Sequence, residues 1–161
     1  MCNYKSNLFG IQFTQFNGKV GCRPCKSAKK RFKNKLKELT SRKRPGTFYE
    51  IIIKINQVIT GWINYYGISF MKKFINVTQG WLNHRLRQLI WKRWKTPRTK
   101  YKMLRKYGIN HDDAMMLANS RKGYWRISHS EIIHRAITKT KLTKWGLKDM
   151  AALYEKRYLK D

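Results

Sequence analysis

The chain has 161 residues, of which 42% are hydrophobic and 14% aromatic, so it can bury a core and is too apolar for a disordered polybasic tail. Lysine and arginine total 37 against 8 acidic residues, which gives a formal net charge of +29. Such self-repulsion opposes folding unless a polyanion is nearby. Nucleic acid is the polyanion that this charge and the many aromatic residues favour, with an anionic membrane surface as the next candidate.

Membrane insertion and secretion are not indicated. No apolar run reaches the roughly 18 residues that a membrane-spanning helix needs. The first residues, Met1 to Asn7, are polar and are not followed by the long apolar core of a signal peptide. We therefore expect a cytoplasmic protein that does not use a membrane.

The eight acidic residues give little basis for catalysis. Asp112 and Asp113 are the one close pair, and their position favours a helix N-terminus over a metal site. A two-metal polymerase or nuclease needs converging acids, and the sequence does not indicate such a set. Cys22 and Cys25 match CxxC but lack partners at ligand spacing, so they are interpreted as ordinary reduced cysteines. No catalytic residue, metal or cofactor is expected.

The N-terminal segment predicts a β-hairpin over residues 8–25. Asn17-Gly18 is a strong signal for a hairpin turn, and Pro24 is expected to end the second strand. A hairpin alone is marginally stable in water. This one is therefore expected to pack on helices or to belong to a sheet outside this chain.

Two amphipathic helices follow. The first is predicted over about residues 28–42 with Ser27 as N-cap and Glu38 as its only counter-charge, so its dense lysines favour a phosphate-contacting face over a merely solvated one. The second begins at a capping box formed by Thr47 and Glu50 and carries a broad apolar face.

A third helix is predicted over about 79–95, capped by Thr78. Trp91 points away from its leucine-rich stripe and lies among cations. That position suits stacking on a nucleic-acid base, and a second packing surface, for example against the hairpin, explains it equally well.

The rest of the chain predicts shorter helices. Thr96-Pro97 separates the third helix from a basic helix over 97–107 that Gly108 ends, and Asp112 opens the next one. Gly123 suits a helix C-terminus, whereas Ser128 and Glu131 suggest a capping box for a helix reaching about residue 138. A last helix is predicted over about 148–159.

These elements predict a mainly α fold: a small N-terminal β-hairpin, a bundle of about three longer helices and a C-terminal set of shorter helices. The predicted domains are residues 1–26 (hairpin), 27–96 (helical domain) and 97–161 (basic helical extension).

Three segments carry a resemblance to a known family. They are LFGI at 8–11; FKNKLKELT at 32–40 with IN at 55–56, GW at 61–62 and NYY at 64–66; and WLNHRLR at 81–87 with WKRWK at 91–95. A fourth, SRKGYWRIS at 120–128, resembles a tail found in many bacterial members. Together they resemble the C-terminal part of group II intron-encoded reverse transcriptases, with the maturase-specific (thumb, or X) domain. The GW-NYY and KGYWRIS segments are the most specific.

The resemblance implies a function. Full-length members of this family bind their own intron RNA, help it fold for splicing and reverse-transcribe it. The YADD-type polymerase motif and a Cys/His-rich nuclease domain are absent from this sequence. We therefore expect a truncated reading frame or a fragment that is not itself an enzyme.

The leading hypothesis is a maturase module that binds structured group II intron RNA, with target DNA and a separate reverse-transcriptase chain as further candidate partners. A DNA-binding domain of a mobile element and a non-functional remnant that needs a partner chain are the alternatives. The predicted structural core includes Phe32, Leu36, Trp62, Tyr66, Leu86 and Trp94. The predicted RNA-binding residues are Lys29, Lys30, Lys33, Arg42, Arg44, Arg85, Arg87, Trp91, Lys92, Arg98, Lys102, Arg105, Arg121, Lys122, Trp125 and Arg126.

Overall fold

The computed structural model describes residues 10–16 and 19–158. In this part of the chain two strands precede nine helices, so the predicted mainly α fold is confirmed. The strands are β1 (Ile11–Phe16) and β2 (Lys19–Pro24), and the long helices are α1 (Lys26–Leu39), α2 (Phe48–Tyr66) and α3 (Lys72–Arg93). The shorter helices are α4 (Pro97–Lys106), α5 (His111–Ala118), α6 (Tyr124–Ser128), α7 (Glu131–Ala136), α8 (Lys139–Lys144) and α9 (Met150–Tyr158).

The hairpin packs on the helices, which was one of its two predicted arrangements. β1 and β2 are antiparallel, with Ile11 opposite Pro24. The backbone N–H of Phe70, between α2 and α3, donates to the Cys22 carbonyl at 2.9 Å. A Cβ at Gly21 would lie 1.9 Å from the Phe70 ring, so only glycine permits this approach. The predicted turn at residues 17–18 and the start of the hairpin at 8–9 lie outside the described residues.

Helix α1 begins two residues earlier than predicted. Cys25, not Ser27, is its N-cap, and the Cys25 Sγ accepts a hydrogen bond from the Ala28 N–H at 3.3 Å. Ser27 contributes from inside the helix, because its hydroxyl lies 2.9 Å from the same sulfur and is the main cause of the lowered pKa of Cys25. The second cysteine of the CxxC pair therefore caps a helix.

Helix α2 confirms the predicted capping box. Glu50 N–H donates to Thr47 Oγ1 and Thr47 N–H donates to Glu50 Oε2, both at 3.2 Å. One face of the helix is buried, and Trp62, on the same side, is half-buried with its ring stacked on Phe32 at 4.4 Å and 15°. This stack joins α2 to α1, and Tyr66 extends it at 4.8 Å from Trp62.

Helix α3 is longer than predicted and is the central helix of the fold. It begins at Lys72 after Met71, which makes no side-chain cap, so Thr78 is an interior residue with a fully buried side chain. Polar side chains such as Gln79, Asn83 and Gln88 are buried along it. A helix covered on several sides shows no single apolar stripe, which is why periodicity placed its start too late.

Two predicted boundaries in the shorter helices are also corrected. Gly123 precedes α6 as its N-cap rather than ending a helix. Ser128 is the last residue of α6, and Ser130 caps α7, accepting from Ile133 N–H at 3.4 Å. The break at Thr96 is confirmed, with Pro97 opening α4. Helix α8 has no counterpart in the prediction.

The helices after residue 96 share a core with those before it. Helix α6 packs on α3, and α9 packs on α2 and α3. Met150 N–H donates to Gln79 Oε1 at 3.0 Å, and Tyr154 Oη donates to the Ser69 carbonyl at 2.9 Å. The division at residue 96 stays a prediction.

Within the described residues, we find no helix with the length and apolar character required to cross a membrane.

Candidate nucleic-acid interface

A basic concave surface lies between α1, α3 and α6. This basic cleft has a volume of about 470 Å³ and is lined by Lys30, Lys33, Asn34, Lys37, Trp81, Arg85 and Trp125. Four cations and two tryptophans therefore meet in one place, and none of the described carboxylates lines the cleft. Positive charge beside aromatic rings suits a polyanion that also carries flat apolar groups.

The fold of α1 aims its lysines at the cleft. Burial of Phe32 and Leu36 fixes the inner face of the helix, and Lys30, Lys33 and Lys37 follow at spacings of three and four residues on the outer side. Lys33 Nζ lies 5.2 Å from the centre of the Trp81 ring, a cation–π contact. The charges are thus arranged as a row rather than scattered.

Arg85 fixes α3 to the end of α1. Its Nε donates to Thr40 Oγ1 at 3.1 Å, and its Nη2 donates to the Lys37 carbonyl at 3.1 Å and the Thr40 carbonyl at 3.3 Å. A cation at the carbonyl end of a helix is electrostatically favourable. Burial, assisted by the nearby charge of Arg42, lowers the pKa of Arg85. Arg85 lines the cleft, and its structural bonds take up part of its donor capacity.

Trp125 closes the opposite wall and is exposed, with 42% of its surface accessible. It is the second residue of α6, whose Ile127 and Ser128 are buried against the core. The His129 ring contacts Trp125 edge-on at 4.6 Å. The indole is thus held by packed neighbours and still presents surface to the cleft.

Behind Trp125 lies a cluster of three histidines that no pattern in the sequence groups together. His84 and His129 stack at 3.8 Å and 9°, and His84 lies 5.0 Å from His134. Ring nitrogens of His84 and His134 lie 3.0 and 3.1 Å from the Ser128 carbonyl oxygen. The pKa of both rings is lowered, chiefly by burial, and the charge of Arg87 contributes. These residues come from three separate segments, so spacing along the chain could not reveal the cluster.

This cluster is not arranged as a metal site. Across residues 10–16 and 19–158, no set of three or more histidine, cysteine or acidic side chains is arranged to hold a metal ion.

Two predicted contact residues are buried. Trp91 is 1% exposed, so the predicted exposed stacking role is wrong. Its second interpretation, a further packing surface, fits the structure, and Lys100 of α4 places its Nζ 4.9 Å from the centre of the ring. Arg87 is 7% exposed and donates from Nε to the Ile137 carbonyl at 2.9 Å. A phosphate could not reach either side chain without local opening.

The cations at the end of α1 lie next to the basic cleft. Lys92 Nζ donates to the Arg42 carbonyl at 2.9 Å, and the Arg42 guanidinium lies 5.2 Å from the Tyr124 ring centre. Arg44 approaches Glu38 at 4.0 Å. Lys92 therefore supports the backbone after α1, whereas the exposed Arg42 links that segment to α6.

The remaining predicted residues lie elsewhere. Lys29 faces a different groove with Phe74, and burial followed by the charge of Arg23 lowers its pKa. The other predicted cations are exposed and do not line the basic cleft: Arg98, Lys102 and Arg105 on or near the outer side of α4, and Arg121, Lys122 and Arg126 around α6.

The fold and this surface define a strongly basic, mainly helical module built around α3. Residues 29–108 match the family model described as "Group II intron, maturase-specific domain", a segment that runs from α1 to the glycine after α4. This part of the chain is therefore a group II intron maturase-specific domain, as the resemblance implied. A search of curated proteins gave no match. The hairpin and the helices from α5 onwards lie outside the matched segment, and these include α6 with Trp125.

Proposed function

We propose that the chain is an RNA-binding maturase module, which binds structured group II intron RNA and favours its splicing-competent fold. The observation that carries the proposal is the basic cleft, where Lys30, Lys33 and Lys37 face Trp81 and Trp125. The maturase-specific domain at residues 29–108 supports the choice of RNA. The splicing chemistry would belong to the RNA, and the chain would act without polymerase activity.

The two residue types in the cleft would have different roles. Lysines on α1 would neutralise phosphates, which supplies affinity without reading sequence. The exposed face of Trp125 would stack on a base that the RNA leaves unpaired. A rigid tryptophan opposite a row of lysines would favour an RNA that can place its backbone against the lysines and an unpaired base against the tryptophan at the same time. The cleft would therefore select RNAs by their shape.

The cations outside the cleft would extend this contact. Those around the end of α1 and on α6 are adjacent to it, and those on α4 and at the start of α1 would meet more distant parts of a large RNA. The proposed peripheral phosphate contacts are Lys29, Arg42, Arg44, Lys92, Arg98, Lys102, Arg105, Arg121, Lys122 and Arg126. Both tryptophans line the basic cleft, but Trp81 lies before the proposed domain boundary at residue 96 and Trp125 lies after it. The proposed maturase domain and its basic extension would therefore bind RNA together.

The test compares Trp125→Ala with Trp125→Phe for binding to a group II intron RNA and to an unrelated structured RNA. Loss of one base-stacking contact costs about 1–3 kcal/mol, so we expect Trp125→Ala to weaken intron binding about 5-fold or more. Phenylalanine keeps an aromatic face and is expected to retain most of the affinity. Binding is measured by filter retention or fluorescence anisotropy, with circular dichroism to verify folding.

A particular result would contradict the role of Trp125. If alanine reduced binding to both RNAs equally, or if alanine and phenylalanine behaved alike, the tryptophan would not read the RNA. Competition with duplex DNA in the same assay would show whether a DNA-binding role is favoured instead.

A further inference from the structure

A second cleft lies towards the C-terminal end of α3. This aromatic cleft has a volume of about 620 Å³ and is lined by Phe48, Tyr49, Trp94, Tyr107 and Trp145 together with a few neighbours. Its size is within the range of about 300–1,000 Å³ that is typical of small-ligand sites. Trp81 and Trp94 mark the two clefts along α3, and at the usual helical rise they are about 20 Å apart.

Four separate segments build the aromatic walls. Phe48 and Tyr49 open α2, Trp94 and Tyr107 follow α3 and α4, and Trp145 follows α8. Phe48 meets Trp145 edge-on at 6.1 Å and 90°, and Tyr107 lies 5.8 Å from Trp145. These mutual contacts hold the rings in place, so the walls are formed before any ligand arrives.

Part of the aromatic surface in this cleft is accessible to solvent. Tyr49 is 67% exposed, and Trp145 is only half-buried. Trp94, by contrast, is 8% exposed and forms the floor. A flat group that entered here would meet ring faces without displacing a core side chain.

The rim of the cleft is positively charged. Arg93 and Lys144 line it, and no carboxylate of residues 10–16 or 19–158 does. Arg93 donates from Nη2 to the Gly46 carbonyl at 2.8 Å, which positions the guanidinium and leaves further N–H donors on it. The nearby Glu50 is engaged in the capping box of α2.

We propose that the aromatic cleft binds an unpaired nucleobase of RNA, with Arg93 and Lys144 contacting the flanking phosphates. The inference rests on the proposed RNA-binding function and adds a second contact that selects single-stranded nucleotides. An apolar side chain of a protein partner would fill the space between the aromatic rings equally well. It would, however, leave the two cations at the rim without counter-charges. A nucleotide supplies the planar ring and the negative charge together.

The test uses a short single-stranded RNA with one 2-aminopurine, and the same RNA with an abasic site at that position. Stacking in the cleft is expected to quench the 2-aminopurine fluorescence on binding to the full chain. Tyr49→Ala should weaken binding of the base-bearing RNA about 5- to 10-fold and leave the abasic RNA unaffected. Tyr49 is chosen because it is exposed, whereas loss of Trp145 would disturb the fold. Tyr65→Ala, an exposed tyrosine at the other end of α2, is the matched control and should bind like wild type.

Any of three results would overturn this inference. The first is that Tyr49→Ala binds both RNAs as wild type does, and the second is that it loses affinity for the abasic RNA by the same factor. Quenching that disappears with Trp125→Ala but persists with Tyr49→Ala would also assign the base to the basic cleft. In each case the preference of the wild type for intron RNA would survive, whereas failure of the proposed function would remove that preference as well.

Discussion

Residues of the same type have different roles in this chain, according to how the tertiary structure places them. Trp91 and Trp125 both stand among cations in the sequence, yet the first is 1% exposed and the second 42%. Local pattern correctly placed Trp91 away from the leucine stripe of its helix. The local pattern could not show that α4 lies against that side of α3, because the packing of two helices depends on residues outside the helix that carries Trp91.

Arg87 illustrates the same limit for a charged residue. Its buried guanidinium binds the Ile137 carbonyl at the end of α7, and Nη1 lies 3.4 Å from His134 Nε2. Burial lowers its pKa. In a chain with 37 cationic side chains, composition favours a phosphate contact for each one, and only the fold separates structural cations from exposed ones.

Arg87→Met is therefore expected to weaken the fold. The methionine fills part of the volume but leaves the Ile137 carbonyl without its charged donor, which costs about 1–3 kcal/mol. Arg126→Met, at an exposed arginine on α6, is the matched control and should change stability by less than about 0.5 kcal/mol. Urea unfolding measures both. Equal stability of the two variants would mean that the buried bond contributes nothing.

At the scale of elements, the sequence predicted most of the secondary structure. Two helix starts with a strong chemical signal were placed correctly, at the Thr47–Glu50 box and at Thr96-Pro97. Starts without such a signal were not: α3 follows an uncapped Met71, and α1 is capped by a cysteine sulfur. The apparent Ser128–Glu131 box was misleading, because Ser130 caps α7. The basic cleft could be predicted only in part, since the lysine row belongs to one helix, whereas its junction with Trp81 and Trp125 requires α3 and α6 to pack.

The junction of α3, α6 and α7 is expected to depend on pH. His84 and His134 both contact the Ser128 carbonyl and Arg87 lies beside them, so protonation of either ring adds positive charge next to an existing one. The pKa of His84 and of His134 is lowered in the folded state. The unfolded chain then binds more protons, and stability falls as pH falls.

The loss should begin near the usual histidine pKa of about 6.5 and level off once the pH is below the folded pKa values. His84→Gln removes one titrating ring, so its stability should vary less between about pH 7.5 and about pH 5.5 than that of the wild type. Thermal unfolding at several pH values measures this. An unchanged slope for His84→Gln would show that His84 does not contribute to the pH dependence of stability.

At the scale of the whole molecule, charge is the dominant property. A net charge of +29 guarantees some attraction to any nucleic acid, and this attraction weakens as salt rises because it depends on counterion release. Specific recognition must come from contacts that charge alone does not supply. In our account these are the basic cleft and, at the other end of α3, the aromatic cleft.

The measurement that tests this account most directly is the affinity of the purified chain for a group II intron RNA and for an unrelated structured RNA of equal length, over a salt titration. We predict that both affinities fall steeply with salt and that a preference for the intron RNA persists at the highest salt at which binding is measurable. Equal affinities that decline together at every salt concentration would contradict the account. The cationic surface would then explain all RNA binding by this chain.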